Sequence, residues 1–168
     1  MAEYEIKEKK QVLARLGIQD WRYLTQDHYM ELVGMMDKMD PATRSFVQNQ
    51  LIKTAADSVK KQQTAALSAI EQNSEIGKKA LDVSKATIKA LEDIALSEMS
   101  EEEKDKWADR VLKANEDAMK QADETKNSNN KAVTALTAVS AIALLVAGAC
   151  LGAKVDLSKV PKLISKMR

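Results

Sequence analysis

Over the first 131 residues, hydrophobic side chains return every three or four positions among charged neighbours, the period of helices that bury one face. At Ala132 the period stops. From there to Ala153 the chain reads AVTALTAVSAIALLVAGACLGA, 22 residues without a charge, bracketed by Lys131 and Lys154. The first pattern predicts amphipathic helices, and the second a helix that is apolar around its whole circumference. At about 1.5 Å per residue the second would reach roughly 33 Å, enough to cross a hydrocarbon core of about 30 Å. A run so rich in Ala, Ser and Thr also suits the buried central helix of a soluble bundle. Its place near the C-terminus, and a start charged from the third residue (MAEYEIKEKK), do not fit a signal peptide, so the run is expected to be kept.

Along the amphipathic part, residues 2–16 predict a short helix with Ile6, Val12 and Leu16 as apolar landmarks and Gly17 as a left-handed C-terminal cap. Ile18 to Leu24 reads as a connector. Thr25 can cap a second helix carrying Tyr29, Leu32, Val33, Met36 and Met39, which ends near Asp40-Pro41, and Pro41 fits the first turn of a third. Two apolar seams follow, Ile52, Ala56, Val59, Gln63, Ala66, Ile70 and then Leu81, Ser84, Ile88, Leu91, Ala95. They share no continuous register, and Glu71-Gln72-Asn73-Ser74 with Gly77 predicts a turn or kink between them. Ala, Gln and Ser in the seams bury too little for a strong two-stranded coiled coil, so close packing in a multi-helix assembly, within one chain or between copies, is expected. Ser100-Glu101-Glu102-Glu103 is a capping box that starts a further helix, with Trp107, Val111, Ala114, Ala118 and Ala122 on one face. The polar stretch from Asp123 to Lys131 reads either as a linker or as a solvated continuation into the apolar run.

Within that run Ala143, Ala147, Gly148 and Gly152 follow small-xxx-small spacing, which lets helices approach closely in lipid and marks them as self-association candidates. After it come Lys154, Lys159, Lys162, Lys166 and Arg168 against the single acid Asp156. Leu157, Val160, Ile164 and Met167 recur at 3, 4 and 3 spacing, so the tail reads as a short amphipathic helix whose five cations contact anionic headgroups. The topology signals conflict: a large N-terminal body favours the cytoplasm, while a basic tail favours the same side of the membrane.

Composition and charge narrow the rest. Five Gly and two Pro in 168 residues leave little turn chemistry for a β fold, so the class is all-α. The formal net charge is only +1, and because the tail is basic the body is slightly acidic, which argues against nucleic acid as a partner. His28 is the sole histidine and Cys150 the sole cysteine, which rules out an intrachain disulfide or a multi-cysteine metal site. No GxxxxGK[ST], GxGxxG, GxSxG or Glu-x-x-His pattern occurs. Asp27, His28 and Glu31 diverge on a helical surface. No catalytic, metal-binding or cofactor-binding residue is therefore assigned, and the chain is expected to be non-enzymatic.

Trp21, Tyr23, Tyr29, Met35, Met36 and Met39 concentrate aromatics and methionines near the N-terminus, as an ordinary core would or as an adaptable surface for a protein partner. The sequence thus divides into residues 1–48, an N-terminal helical subdomain with a partner-binding region; 49–131, long amphipathic helices; 132–153, a transmembrane helix; and 154–168, a basic tail. The leading expectation is a membrane protein with a cytoplasmic N-terminal body, which forms homo-oligomers and couples partner sensing to an event at the lipid bilayer. A membrane-permeabilising effector or toxin is the sharper alternative. A soluble scaffold with the run buried between protomers is the third.

Overall fold

The computed structural model describes residues 4–70, 75–94, 99–124, 131–152 and 158–167. Among them the regular elements are helices: α1 (Lys9–Leu16), α2 (Tyr29–Met35), α3 (Pro41–Ile70), α4 (Glu75–Glu92), α5 (Glu101–Glu124), α6 (Lys131–Cys150) and α7 (Lys159–Met167). The all-α class follows, with no strand among the described residues.

The N-terminal helices are shorter than the periodicity predicts, for a visible reason. Ile6 donates its N–H to the Lys38 carbonyl at 3.0 Å and accepts from the Asp40 N–H at 2.9 Å, so this stretch is tied to a distant segment instead of coiling. Helix α1 therefore begins only at Lys9, where Gln11 reaches back to the backbone of Glu8, and it ends on Gly17 at φ 71°. Likewise α2 is flanked by 3-10 turns at Gln26–His28 and Met36–Lys38. Thr25 precedes the first of these, its N–H donating to His28 Nδ1 at 3.0 Å. The boundary at Asp40-Pro41 forms as expected: Asp40 accepts from the Thr43 N–H at 2.8 Å and caps α3. Those bonds from Thr43 hold the Asp40 carboxyl below the usual carboxylate range.

Helix α3 ends at Ile70 and α4 starts at Glu75, so the two seams lie on separate helices. The expected turn at Glu71–Ser74 and the seam residue Ala95 fall outside the described residues. The seams meet within one chain, where Gln63 Nε2 donates to Ser84 Oγ at 3.1 Å and Lys60 pairs with Glu92. Ser100 opens α5 with both bonds of its box, its N–H donating to Glu103 Oε2 at 2.9 Å and its Oγ accepting from the Glu103 N–H at 3.2 Å.

Helix α5 then turns back onto α6. Asn115 Nδ2 donates to the Ala141 carbonyl at 3.0 Å, a pairing that a single continuous helix from residue 100 to 153 forbids. Gln48 Nε2, near the start of α3, donates to the carbonyl of Cys150, the last residue of α6, at 3.4 Å. Helices α3 and α5 thus run antiparallel to α6, and α4 runs parallel to it. Together with α7 they surround α6, which is the hub of the molecule. One hydrophobic cluster extends from Ile6 to Leu163, and α3 passes without a break through the expected division at residue 48.

Candidate membrane-active helix

The candidate site is α6 with the helices that cover it. Every residue from Ala135 to Gly148 is buried. An α-helix turns about 100° per residue, so an unbroken buried run of this length is covered in every direction. At 20 residues, α6 is also the one helix among the described residues long and apolar enough to cross a membrane. Its placement inside the bundle means that its length and composition serve a core in this structure.

The covering helices bury large apolar side chains, Val47, Leu51, Ile52, Val59, Leu91 and Val111, beside smaller ones. Where α3, α4 and α5 turn inward they present many small or polar side chains, Ala55, Ala56, Ser84, Thr87, Ala108 and Ala118 among them, all buried. Small residues allow close helix approach but contribute little apolar area each. Asn115 is buried too, and its bond to the Ala141 carbonyl is the clearest polar tie between sheath and hub. Nearby, Gln121 is buried and its Nε2 has no hydrogen-bond partner.

Two hydroxyl groups on α6 bond back to their own helix. Thr137 Oγ1 donates to the Thr134 carbonyl at 2.9 Å, and Ser140 Oγ donates to the Leu136 carbonyl at 2.8 Å. A helix that satisfies its own backbone and hydroxyls carries its polar groups ready for an environment without water.

The expected self-association face lies within this core. Ala143, Ala147 and Gly148 are buried against the chain's own helices, whereas Gly152 is exposed beyond the end of α6 with φ 83°. Of the tail cations, Lys159 and Lys162 are exposed on α7, Lys166 falls in the same helix, and Lys154 and Arg168 lie outside the described residues, as does Leu157. The apolar positions Val160 and Leu163 are buried, with Ile164 partly so.

The N-terminal aromatic and methionine residues mostly face inward. Tyr29, Met35, Met36 and Met39 are buried. Trp21 is half-buried, its ring edge-on to Phe46 with centroids 5.4 Å apart, and Tyr23 is exposed. Arg44 closes this region by donating from Nε to the Met36 carbonyl at 2.9 Å and from Nη2 to the Met39 carbonyl at 3.0 Å. The Tyr29 hydroxyl is buried without a partner of hydrogen-bonding geometry; burial pushes its pKa up to about 12, tempered by the neighbouring Ser58 hydroxyl, which itself donates to the Thr54 carbonyl.

Sequence reasoning singled out Gln63 and Ser84 as seam residues but passed over Asn115 and Gln48. Asn115 had a readable signal: it falls four residues after Val111 and three before Ala118, a polar residue on an apolar stripe. Gln48 had none, since its acceptor is a backbone carbonyl about a hundred residues away.

Fold and site together define an all-α bundle built around a sheathed, membrane-length helix. No protein-family model matches the chain, and no curated protein or solved structure resembles it at a significant level.

Proposed function

We propose that this chain is a non-enzymatic, membrane-inserting protein of the permeabilising-effector kind, which keeps α6 covered in water and releases it into a lipid bilayer. The observation that carries this reading is the burial, inside a single chain, of the unbroken run Ala135–Gly148 of a membrane-length helix. A permanent anchor needs no such cover, because lipid itself solvates an apolar helix. A scaffold that buries its run between protomers needs a second copy, and here the cover is already supplied by α3, α4, α5 and α7. The sheath matters only while α6 is in water.

The balance of energies favours a metastable arrangement. Exposing α6 to water would cost roughly 25 cal/mol for each Å² of apolar surface, so the bundle holds in solution. In a bilayer that cost falls away, and the packing of the sheath on α6 is what remains to oppose release. Once released, Ala143, Ala147 and Gly148 form a surface through which copies associate. A water-filled path additionally requires polar helix faces, which the amphipathic α4 and α5 supply.

The test uses the full chain purified without detergent, added to vesicles that contain a trapped dye and a phospholipid with a photoactivatable acyl chain. Dye release, with acyl-chain adducts mapped to residues 131–150, is expected. Vesicle-bound protein that gives neither adducts nor release would make the molecule an ordinary soluble bundle.

A further inference from the structure

Helix α7 has one apolar stripe and two surfaces on which that stripe could rest. Val160 and Leu163 are completely buried and Ile164 is partly buried as α7 packs on α6. Lys159 and Lys162, one helical turn apart, are both exposed. On the side of Ile164 a cleft is lined by Arg22, Leu24, Asp27, Ser58 and Lys61. Arg22 is exposed and paired with Asp20 at 3.3 Å, whereas Lys61 forms no ion pair among the described residues. Asp27 shares this cleft, and Asp20 and Asp57 line the adjoining one together with Arg22 and Lys61, so the ground beside Lys61 is mixed in charge. The folded protein thus presents two exposed cations, Lys159 and Lys162, on an amphipathic helix that closes the sheath.

We propose that α7 is the face on which the folded bundle docks to an anionic phospholipid bilayer through Lys159 and Lys162, and that docking draws Val160 and Leu163 off α6 and into the lipid. The uncovering of α6 rests on the insertion reading above; the docking does not. Charge complementarity selects the occupant, since lysines flanking an apolar stripe match anionic headgroups above hydrocarbon. The same stripe cannot lie on α6 and in lipid at once, so binding and uncovering are coupled. Moving Val160 and Leu163 between two apolar surroundings changes their burial little. Electrostatic attraction then sets the direction, at about fivefold in partitioning for each lysine near an anionic surface. Removing two lysines should therefore weaken binding on the order of 30-fold.

The experiment floats the full chain with phosphatidylglycerol-containing vesicles or with phosphatidylcholine vesicles, comparing the parent with Lys159→Gln/Lys162→Gln and with Lys159→Arg/Lys162→Arg. All three should share one thermal midpoint, because both lysines are exposed. The expected result is selective binding to the anionic vesicles, an approximately 30-fold loss for the Gln pair, retention for the Arg pair, and weakening by added salt. A bimane label on Ile164→Cys, at the edge of the stripe, with Cys150→Ala, should be quenched by nitroxide-bearing acyl chains once the protein is bound. Equal binding to both vesicles, indifference to the Gln pair, or an unquenched label on bound protein overturns the proposal. Tighter capture of duplex DNA than of anionic vesicles also overturns it and assigns the patch to nucleic acid. Anionic-selective docking without adducts in α6 overturns insertion and leaves docking standing; adducts and leakage that ignore the lysines do the reverse.

Discussion

At the scale of the residue, Tyr29 is the most exposing test of the N-terminal core. Its phenol is buried without a partner, and its pKa is pushed up to about 12. An unfolded tyrosine ionises near pH 10, so between about pH 10 and 12 the folded state holds a proton that the unfolded state has lost, and stability falls as pH rises. A shift of this size corresponds to about 2–3 kcal/mol at the alkaline end of the window. Tyr29→Phe should remove that share of the alkaline loss and, because an unsatisfied hydroxyl disappears, raise stability at neutral pH by about 1 kcal/mol. Urea unfolding of both proteins at pH 7 and at several values above 10 checks this; parallel pH profiles would show that the phenol is not held as described. The sequence marked Tyr29 as apolar by its spacing, but no spacing reveals that a hydroxyl lacks a partner. His28 illustrates the converse: as the sole histidine it invites chemical roles, and its ring instead accepts the Thr25 N–H at a helix start.

At the scale of the element, the sequence was most informative where local chemistry decides the outcome. Gly17, Asp40-Pro41 and the box at Ser100 each close a backbone hydrogen-bond deficit within four residues, and each stands where its residue types predict. The start of α1 was not legible because Ile6 finds its partners near Met39. Nor was the reversal between α5 and α6, since a polar stretch without Gly or Pro suits either a linker or a helix. Asn115 fixes that reversal, and it also offers a way to hold α6 in place. With Cys150→Ser removing the native thiol, Asn115→Cys together with Ala141→Cys places two thiols across the α5–α6 contact. Oxidised, this pair should abolish dye release and acyl-chain adducts in α6, and reduction should restore both. Undiminished release from the fully oxidised protein would mean that α6 does not part from α5 on the way into lipid.

At the scale of the whole molecule, a membrane-length helix is legible in the sequence while its surroundings are not, because residues 132–153 have the same composition whether lipid or protein surrounds them. What separates the two cases is long-range: four other helices and one shared core. Under the proposed insertion, that arrangement would link stability to membrane activity in a direction opposite to that of most proteins. If opening of the bundle limits insertion, any loss of sheath stability raises the population from which α6 departs. Val111, fully buried on α5, is a suitable probe. Val111→Ala should cost about 2 kcal/mol through lost burial and a small cavity. It should accordingly speed dye release by up to roughly 30-fold at equal bound protein, since 1.4 kcal/mol is a factor of ten in an equilibrium. Chemical unfolding gives the stability change and stopped-flow leakage gives the rate. A stability loss of that size with an unchanged or slower leakage rate would show that departure from the sheath is not the limiting step, and would place the barrier after α6 has reached the bilayer.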